Sequence, residues 1–239
     1  MDLKKYFEIG YGTVPIILSC PHGGYKKPKR IPNKLKGPQI ADSNTLFISK
    51  QIIQKLNESN IKIYYILSKI HRSKIDLNRP PGSEHAFNQI STEARSIHFA
   101  YQDQLVRFAQ NCVSNYNKAL LIDFHGFTKP EINYPDVIFG HVFGKTLDLT
   151  LESEEQNCNR YWGCSQLYEE ISKFFTLDDG LALTNYNIAY SGGYITQRFY
   201  NKNQISALQI EIAKYIRLDT TLTKNFIRAI VNAIIKSLS

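Results

Sequence analysis

Short apolar runs alternate along the chain with longer stretches whose apolar positions recur at helical spacing. Val14–Cys20, Ile61–Leu67 ("IKIYYIL"), Ala119–Phe124 ("ALLIDF") and Ser206–Ile212 ("SALQIEI") read as strands, and Val137–Gly140 as a further short one. Asp42–Leu56 carries Leu46, Ile48, Ile52, Ile53 and Leu56 on one helical face, and Glu58-Ser59-Asn60 ends it. Ser91–Tyr116 predicts a long helix with "STEA" as a capping start. Gly163–Phe175 and Thr220–Leu238 predict two more, the last with Ile227, Ile230, Val231, Ile234, Ile235 and Leu238 in one stripe that reads as core. Strands interleaved with helices predict an α/β fold: a single domain over residues 1–239, with a mixed, mostly parallel central sheet flanked by helices.

Composition narrows this picture. A chain of 239 residues, 43% hydrophobic and 21% charged, is a globular protein with one substantial core. No apolar stretch approaches the ~20 residues of a membrane span, and Met1–Lys5 lacks the apolar segment of a secretory signal. The expectation is a soluble cytoplasmic protein with no membrane partner. Cys20, Cys112, Cys158 and Cys164 are spaced too irregularly for a disulfide framework and read as reduced thiols, a Cys158–Cys164 bridge being the weaker alternative. The formal charge of +8 raises nucleic acid as a partner. Basic residues are dense only in Lys26–Lys36, however, where prolines interrupt them as in a solvated loop. Attraction of a small anionic substrate is the simpler use of that charge.

Two predicted strands end alike, in "LSCPHGG" and "LIDFHG", so His22 and His125 are expected at one edge of the sheet, each followed by glycine that leaves space beside the imidazole. Alone, either would read as a hydrogen-bonded core histidine; together they suit a metal. A catalytic zinc takes three protein ligands and keeps one position open. Asp42, at the expected helix start, is the candidate third ligand, although a helix N-cap is its plainer role. Asp123 is the alternative; it shares a strand face with His125 while Phe124 points away, and it could equally orient His125 from outside the ligand set. In "HRSKIDLNRPP", Arg72, Asn78 and Arg79 resemble a receptor for an anionic group, or else a surface turn whose arginines pair with Asp76 and Glu84. In "YSGGYITQRFY", Tyr194 follows a flexible turn that could move over a ligand, and in "ALQIEI" Glu211 is a carboxylate within an apolar strand. Beside a metal, Glu211 could shuttle a proton.

Taken in order, "SCPHGG", "DSNT", "RSKIDLNRP", "LLIDFHG", "YSGGYITQRFY" and "ALQIEI" resemble the N-formylglutamate amidohydrolase family, over about Pro15 to Ile216. The resemblance implies a zinc carboxypeptidase-like fold and hydrolysis of a linear amide, such as that of N-formyl-L-glutamate, by zinc-activated water. It implies one Zn2+, or another divalent ion, on His22, Asp42 and His125. Arg72 would polarise the carbonyl, Asn78 and Arg79 would hold a substrate carboxylate, Glu211 would be the general acid/base and Tyr194 a substrate cover. Zinc carboxypeptidases commonly carry a glutamate three residues after the first histidine; this chain has Tyr25 there. Related readings are a zinc aminoacylase, a peptidase acting on peptide or cell-wall fragments, and a catalytically silent basic binding module.

Overall fold

The computed structural model describes residues 2–148 and 161–239. After a 3-10 turn at Leu3–Lys5 the described chain forms β1 (Phe7–Gly10), β2 (Ile16–Cys20), α1 (Thr45–Glu58), β3 (Tyr64–Ser68), α2 (Thr92–Tyr116), β4 (Ala119–Phe127) and β5 (Val137–Gly140), then α3 (Cys164–Ser172), β6 (Leu177–Asp178), α4 (Tyr194–Gln197), β7 (Ile205–Ala213), α5 (Lys214–Leu218) and α6 (Thr220–Leu238). The seven strands make one mixed sheet in the order β1-β3-β2-β4-β7-β5-β6. The central β3, β2, β4 and β7 are mutually parallel, β1 and β5 run antiparallel to their inner neighbours, and β6 is parallel to β5.

Strand alternation divides the core. Ile16, Leu18 and Cys20 of β2 and Leu120, Ile122 and Phe124 of β4 face α1, α3 and α6, whose Ile52, Ile171, Phe226 and Ile230 belong to the same cluster. Ile17 and Leu121 face the opposite way, towards Ile97, Tyr101, Leu105 and Phe108 of α2. Each aliphatic side chain so buried contributes roughly 1.5–3 kcal/mol, which holds the parallel strands together without hairpins. Because the helix after β2 leads out to β3 and the helix after β3 returns to β4 on the other side, the connections diverge between β2 and β4. In open α/β sheets a crevice forms at the carboxyl ends of such a pair.

Local chemistry sets the element ends. The Ser91 hydroxyl accepts from Ala94 N, and Asp219 caps α6 at Leu222 N. The third strand begins at Tyr64, later than the apolar run predicts, because Ile61 N still closes α1 on the Leu56 carbonyl at 2.9 Å. The first helix begins at Thr45 behind Asn44, which is left-handed at φ 63°. Asp42 therefore lies outside the helix and is not its N-cap. Cys20 and Cys112 are buried free thiols; Cys158 lies outside the described residues. No helix among the described residues is long and apolar enough to cross a membrane.

Candidate metal centre and active site

The site starts where β2 runs out. Two residues beyond Cys20, His22 turns inward, and its carbonyl accepts from Asp42 N at 3.0 Å, which returns the far end of the basic loop to the sheet edge. His125 is still inside β4 and directly opposes Glu211 of β7 in register. The His22 and His125 rings meet edge to face with centroids 4.8 Å apart. Their Nδ1 atoms lie 3.5 and 3.6 Å from the same Asp42 oxygen, Oδ2. Potential ligand atoms of His22, Asp42 and His125 all lie within 4.8 Å of one another.

The other ring nitrogens have carboxylate partners. His22 Nε2 is 2.7 Å from Asp76 Oδ1, and His125 Nε2 is 2.7 Å from Asp123 Oδ2. Both carboxylates are fully buried, and a carboxylate there favours hydrogen on Nε2, which leaves Nδ1 as the ring nitrogen facing Asp42. Asp123 is itself fixed by the Ser19 hydroxyl at 2.7 Å. His22 Nδ1 is buried with no hydrogen-bond partner. A buried ring nitrogen without a partner is costly, and this nitrogen, His125 Nδ1 and one Asp42 carboxylate oxygen make a donor set that fits a divalent cation such as zinc. Burial pushes the Asp42 carboxyl up, but His125 and His22 outweigh it and hold it well below the carboxylate range. Burial likewise pushes Asp76 up, but His22 and Arg72 beside it outweigh that and hold it well below the same range. Burial disfavours a charged His125, yet Asp123 and Asp42 lift it to about 10, so that a cation would bind His125 in exchange for a proton.

Glu211 completes the wall. It is 7% exposed; Oε1 accepts from Gln209 Nε2 at 2.9 Å, and Oε2 is buried without a partner. Burial, with the Asp42 charge, raises Glu211 to about 7 against the pull of His125, a value suited to proton transfer near neutrality. Gln209 Oε1 in turn accepts from Asn78 Nδ2 and Gly193 N, both at 3.0 Å. Asn78 Oδ1 accepts from Ile195 N at 2.8 Å. Its Nδ2 also lies 3.2 Å from His125 Nε2, but with that nitrogen donating to Asp123 it cannot accept, so one Asn78 N–H stays available at the cavity.

Arg72 donates from Nε to Asp76 Oδ2 at 2.8 Å and sits 3.4 Å from Asp42 Oδ1 through Nη1. Arg79 makes no ion pair among the described residues; its Nη1 donates to the Asn78 carbonyl at 3.1 Å. His22, Asp42, Arg72, Asn78, Arg79, His125 and Glu211 all line one cavity of about 260 Å³.

Tyr194 opens α4 with its ring 6.0 Å from that of His98, and it is not among the cavity-lining residues; Tyr190, four positions earlier, is. In the turn Ser191–Gly193, Gly193 packs on the Asn78 amide, where a Cβ would lie 2.1 Å from Nδ2. Tyr25 is 62% exposed and contributes nothing to the centre. The glycines beside the histidines also serve another purpose than open space for a ligand. A Cβ on Gly23 would lie 2.6 Å from Leu46 N, one on Gly24 2.2 Å from the Lys69 carbonyl carbon, and one on Gly126 2.4 Å from the Arg217 guanidinium carbon. The first two are close approaches of backbone to backbone, the third of backbone to a buried side chain.

Sequence reading misses Asp76 as a histidine partner, Gln209 as the link from Asn78 to Glu211, and Lys34. The Lys34 ammonium is buried 3.9 Å from Asp76 Oδ2. The only sequence cue for Asp76 is its place between the apolar Ile75 and Leu77; its burial is seen only in the fold.

The family model for N-formylglutamate amidohydrolase matches residues 83–216. That stretch contains His125, Tyr194 and Glu211, while His22, Asp42, Arg72, Asn78 and Arg79 precede it. Among solved structures, the N-formylglutamate amidohydrolase of Ralstonia eutropha is 13% identical with a TM-score of 0.67, the match covering 95% of this chain and 96% of that one. A gene product of Agrobacterium tumefaciens is 14% identical with a TM-score of 0.68, covering 98% and 93%. At such identities the likeness is one of fold. No curated protein matches the chain. With the model spanning more than half of the sequence, the chain belongs to the N-formylglutamate amidohydrolase family.

Proposed function

We propose that this protein is a metal-dependent hydrolase that cleaves the linear amide of an N-acyl amino acid, N-formyl-L-glutamate being the leading substrate. The observation that carries the reading is the convergence of two buried, unpartnered acceptor atoms, His22 Nδ1 and Glu211 Oε2, on one cavity with Asp42 and His125. A divalent cation, zinc by the chemistry of the donors, held by His22 Nδ1, Asp42 and His125 Nδ1 supplies Lewis acidity towards a carbonyl oxygen and a water molecule.

The chain's own groups do the rest. Asp76 and Asp123 favour hydrogen on the Nε2 atoms, so that both Nδ1 atoms would be left to hold the cation. Glu211, through Oε2, takes a proton from the attacking water as the carbon–oxygen bond forms. It then delivers that proton to the amide nitrogen as the carbon–nitrogen bond breaks, releasing a carboxylic acid and an amine. Arg72, tied through Nε and Nη1, keeps its Nη2 hydrogens for the oxygen that gains negative charge. Arg79, a cation with no carboxylate of its own among the described residues, pairs with the substrate carboxylate, and the spare Asn78 N–H adds a neutral bond. Both arginines fit an anionic substrate better than a neutral one.

The test is hydrolysis of N-formyl-L-glutamate and a panel of N-acyl amino acids by metal-loaded protein, with and without chelator. Chelator-sensitive release of free amino acid supports the reading. Metal-free protein that hydrolyses as fast as loaded protein, or loaded protein inactive on every N-acyl amino acid, overturns it.

A further inference from the structure

Arg217 is buried on α5, immediately after the strand that carries Glu211, and its guanidinium is spent on main-chain and hydroxyl oxygens of three separate segments. Nε donates to the Ile212 carbonyl at 3.1 Å, next to Glu211. Nη1 donates to the Ser43 carbonyl and, at 3.0 Å, to the Ser43 hydroxyl, next to Asp42. Nη2 donates to the Phe127 carbonyl at 3.0 Å, two residues beyond His125. In return the Arg217 carbonyl accepts from Asn44 Nδ2 at 2.8 Å, a second tie to the Asp42 segment. Gly126 lies under the guanidinium and gives its own N–H to Asp42 Oδ2 at 3.2 Å. Four of the five guanidinium hydrogens are thereby used, and among the described residues Arg217 has no carboxylate within ion-pair distance.

A buried cation without an ion-pair partner is an expensive device if its task is cohesion alone. A planar fork, however, fixes the relative positions of its acceptors in a way that a flexible ammonium does not. We propose that Arg217 is a positioning residue: its fork sets the spacing of Asp42, His125 and Glu211, and through that spacing the affinity and geometry of the metal centre. The inference rests on the site reading given above. It adds a residue that touches neither the cation nor the substrate.

The experiment compares wild type, Arg217→Lys, Arg217→Gln and Gly126→Ala. Gly126→Ala keeps the charge but drives a methyl group into the guanidinium. Zinc affinity is measured by competition with a chromogenic chelator, and the visible absorption of the cobalt-loaded proteins reports ligand geometry. Arg217→Lys and Gly126→Ala are expected to weaken zinc binding at least 10-fold, to alter the cobalt bands, and to lower kcat while KM moves less than threefold. Should Arg217→Gln fail to fold, the two charge-retaining variants decide. Charge-retaining variants that bind zinc within twofold of wild type with unchanged cobalt bands overturn the inference, and so does full restoration by lysine, which would reduce Arg217 to a buried charge. Wild-type protein that binds no metal would instead overturn the reading of the site. The two failures are therefore distinct.

Discussion

The two histidines of the centre are built alike and supported differently. Each directs Nδ1 at Asp42 and holds a buried carboxylate on Nε2 at 2.7 Å. Around His125 the support is local: Asp123 lies two residues away on the same strand, and the parallel neighbours β2 and β7 fix its position. Around His22 the support is remote. Asp76 comes from 54 positions downstream, outside any strand, and is itself held by Arg72, the Asn78 N–H and the nearby Lys34. A strand supplies a ligand with its partner by simple alternation; a loop can do so only if several charges are satisfied together.

The largest expected effect falls on Glu211, the proposed proton carrier, which belongs to neither arm. Glu211→Gln is expected to keep zinc stoichiometry while kcat falls about 10³-fold, measured by amine release alongside metal analysis; near-normal turnover would remove Glu211 from the chemistry. Next come the two supports. Asp76→Asn is expected to weaken zinc binding about 100-fold and Asp123→Asn about 10-fold, because only the former also strips Arg72 and Lys34 of a countercharge. Chelator competition checks both, and equal losses would erase the distinction between a local and a remote support. Arg79→Ala is expected to lower kcat/KM about 30-fold on N-acyl amino acids and hardly at all on their amides; equal losses on both would deny it the carboxylate.

The smallest effect concerns stability. Burial pushes the Lys34 ammonium down to about 8, against the pull of Asp76 and with help from Arg72 and Arg79. The folded protein then gives up this proton before the unfolded chain does, so stability rises as pH climbs from about 8 towards the ordinary lysine range. Lys34→Met is expected to remove that rise, at most about 3 kcal/mol, in denaturant titrations at about pH 7 and about pH 10. A rise that persists in the variant belongs to another group.

The same contrast governs what the amino-acid string discloses. The central strands, the long helices and the common strand edge of His22 and His125 follow from apolar periodicity and from the repeated His-Gly endings, since both are local patterns. The edge strand Phe7–Gly10 escapes notice because it is short and its register depends on Tyr65 filling the space above Gly10. Asp76 looks like an ordinary turn acid until Ile75, Leu77 and the His22 ring close around it. Tyr190 and Tyr194 differ only in which side of a glycine turn they occupy, and only the fold shows that the former lines the cavity. Residues whose role is set by a neighbour in sequence are legible; those whose role is set by a neighbour in space are not.

Gly126 and Arg217 compete for one volume, with 2.4 Å between a hypothetical methyl and the guanidinium carbon. Substitution at either position is consequently epistatic on the other. Enlarging residue 126 displaces the guanidinium, and shrinking residue 217 leaves four oxygen acceptors unserved. Divergence through this pair is accordingly narrow, and relatives are expected to change both positions together or neither.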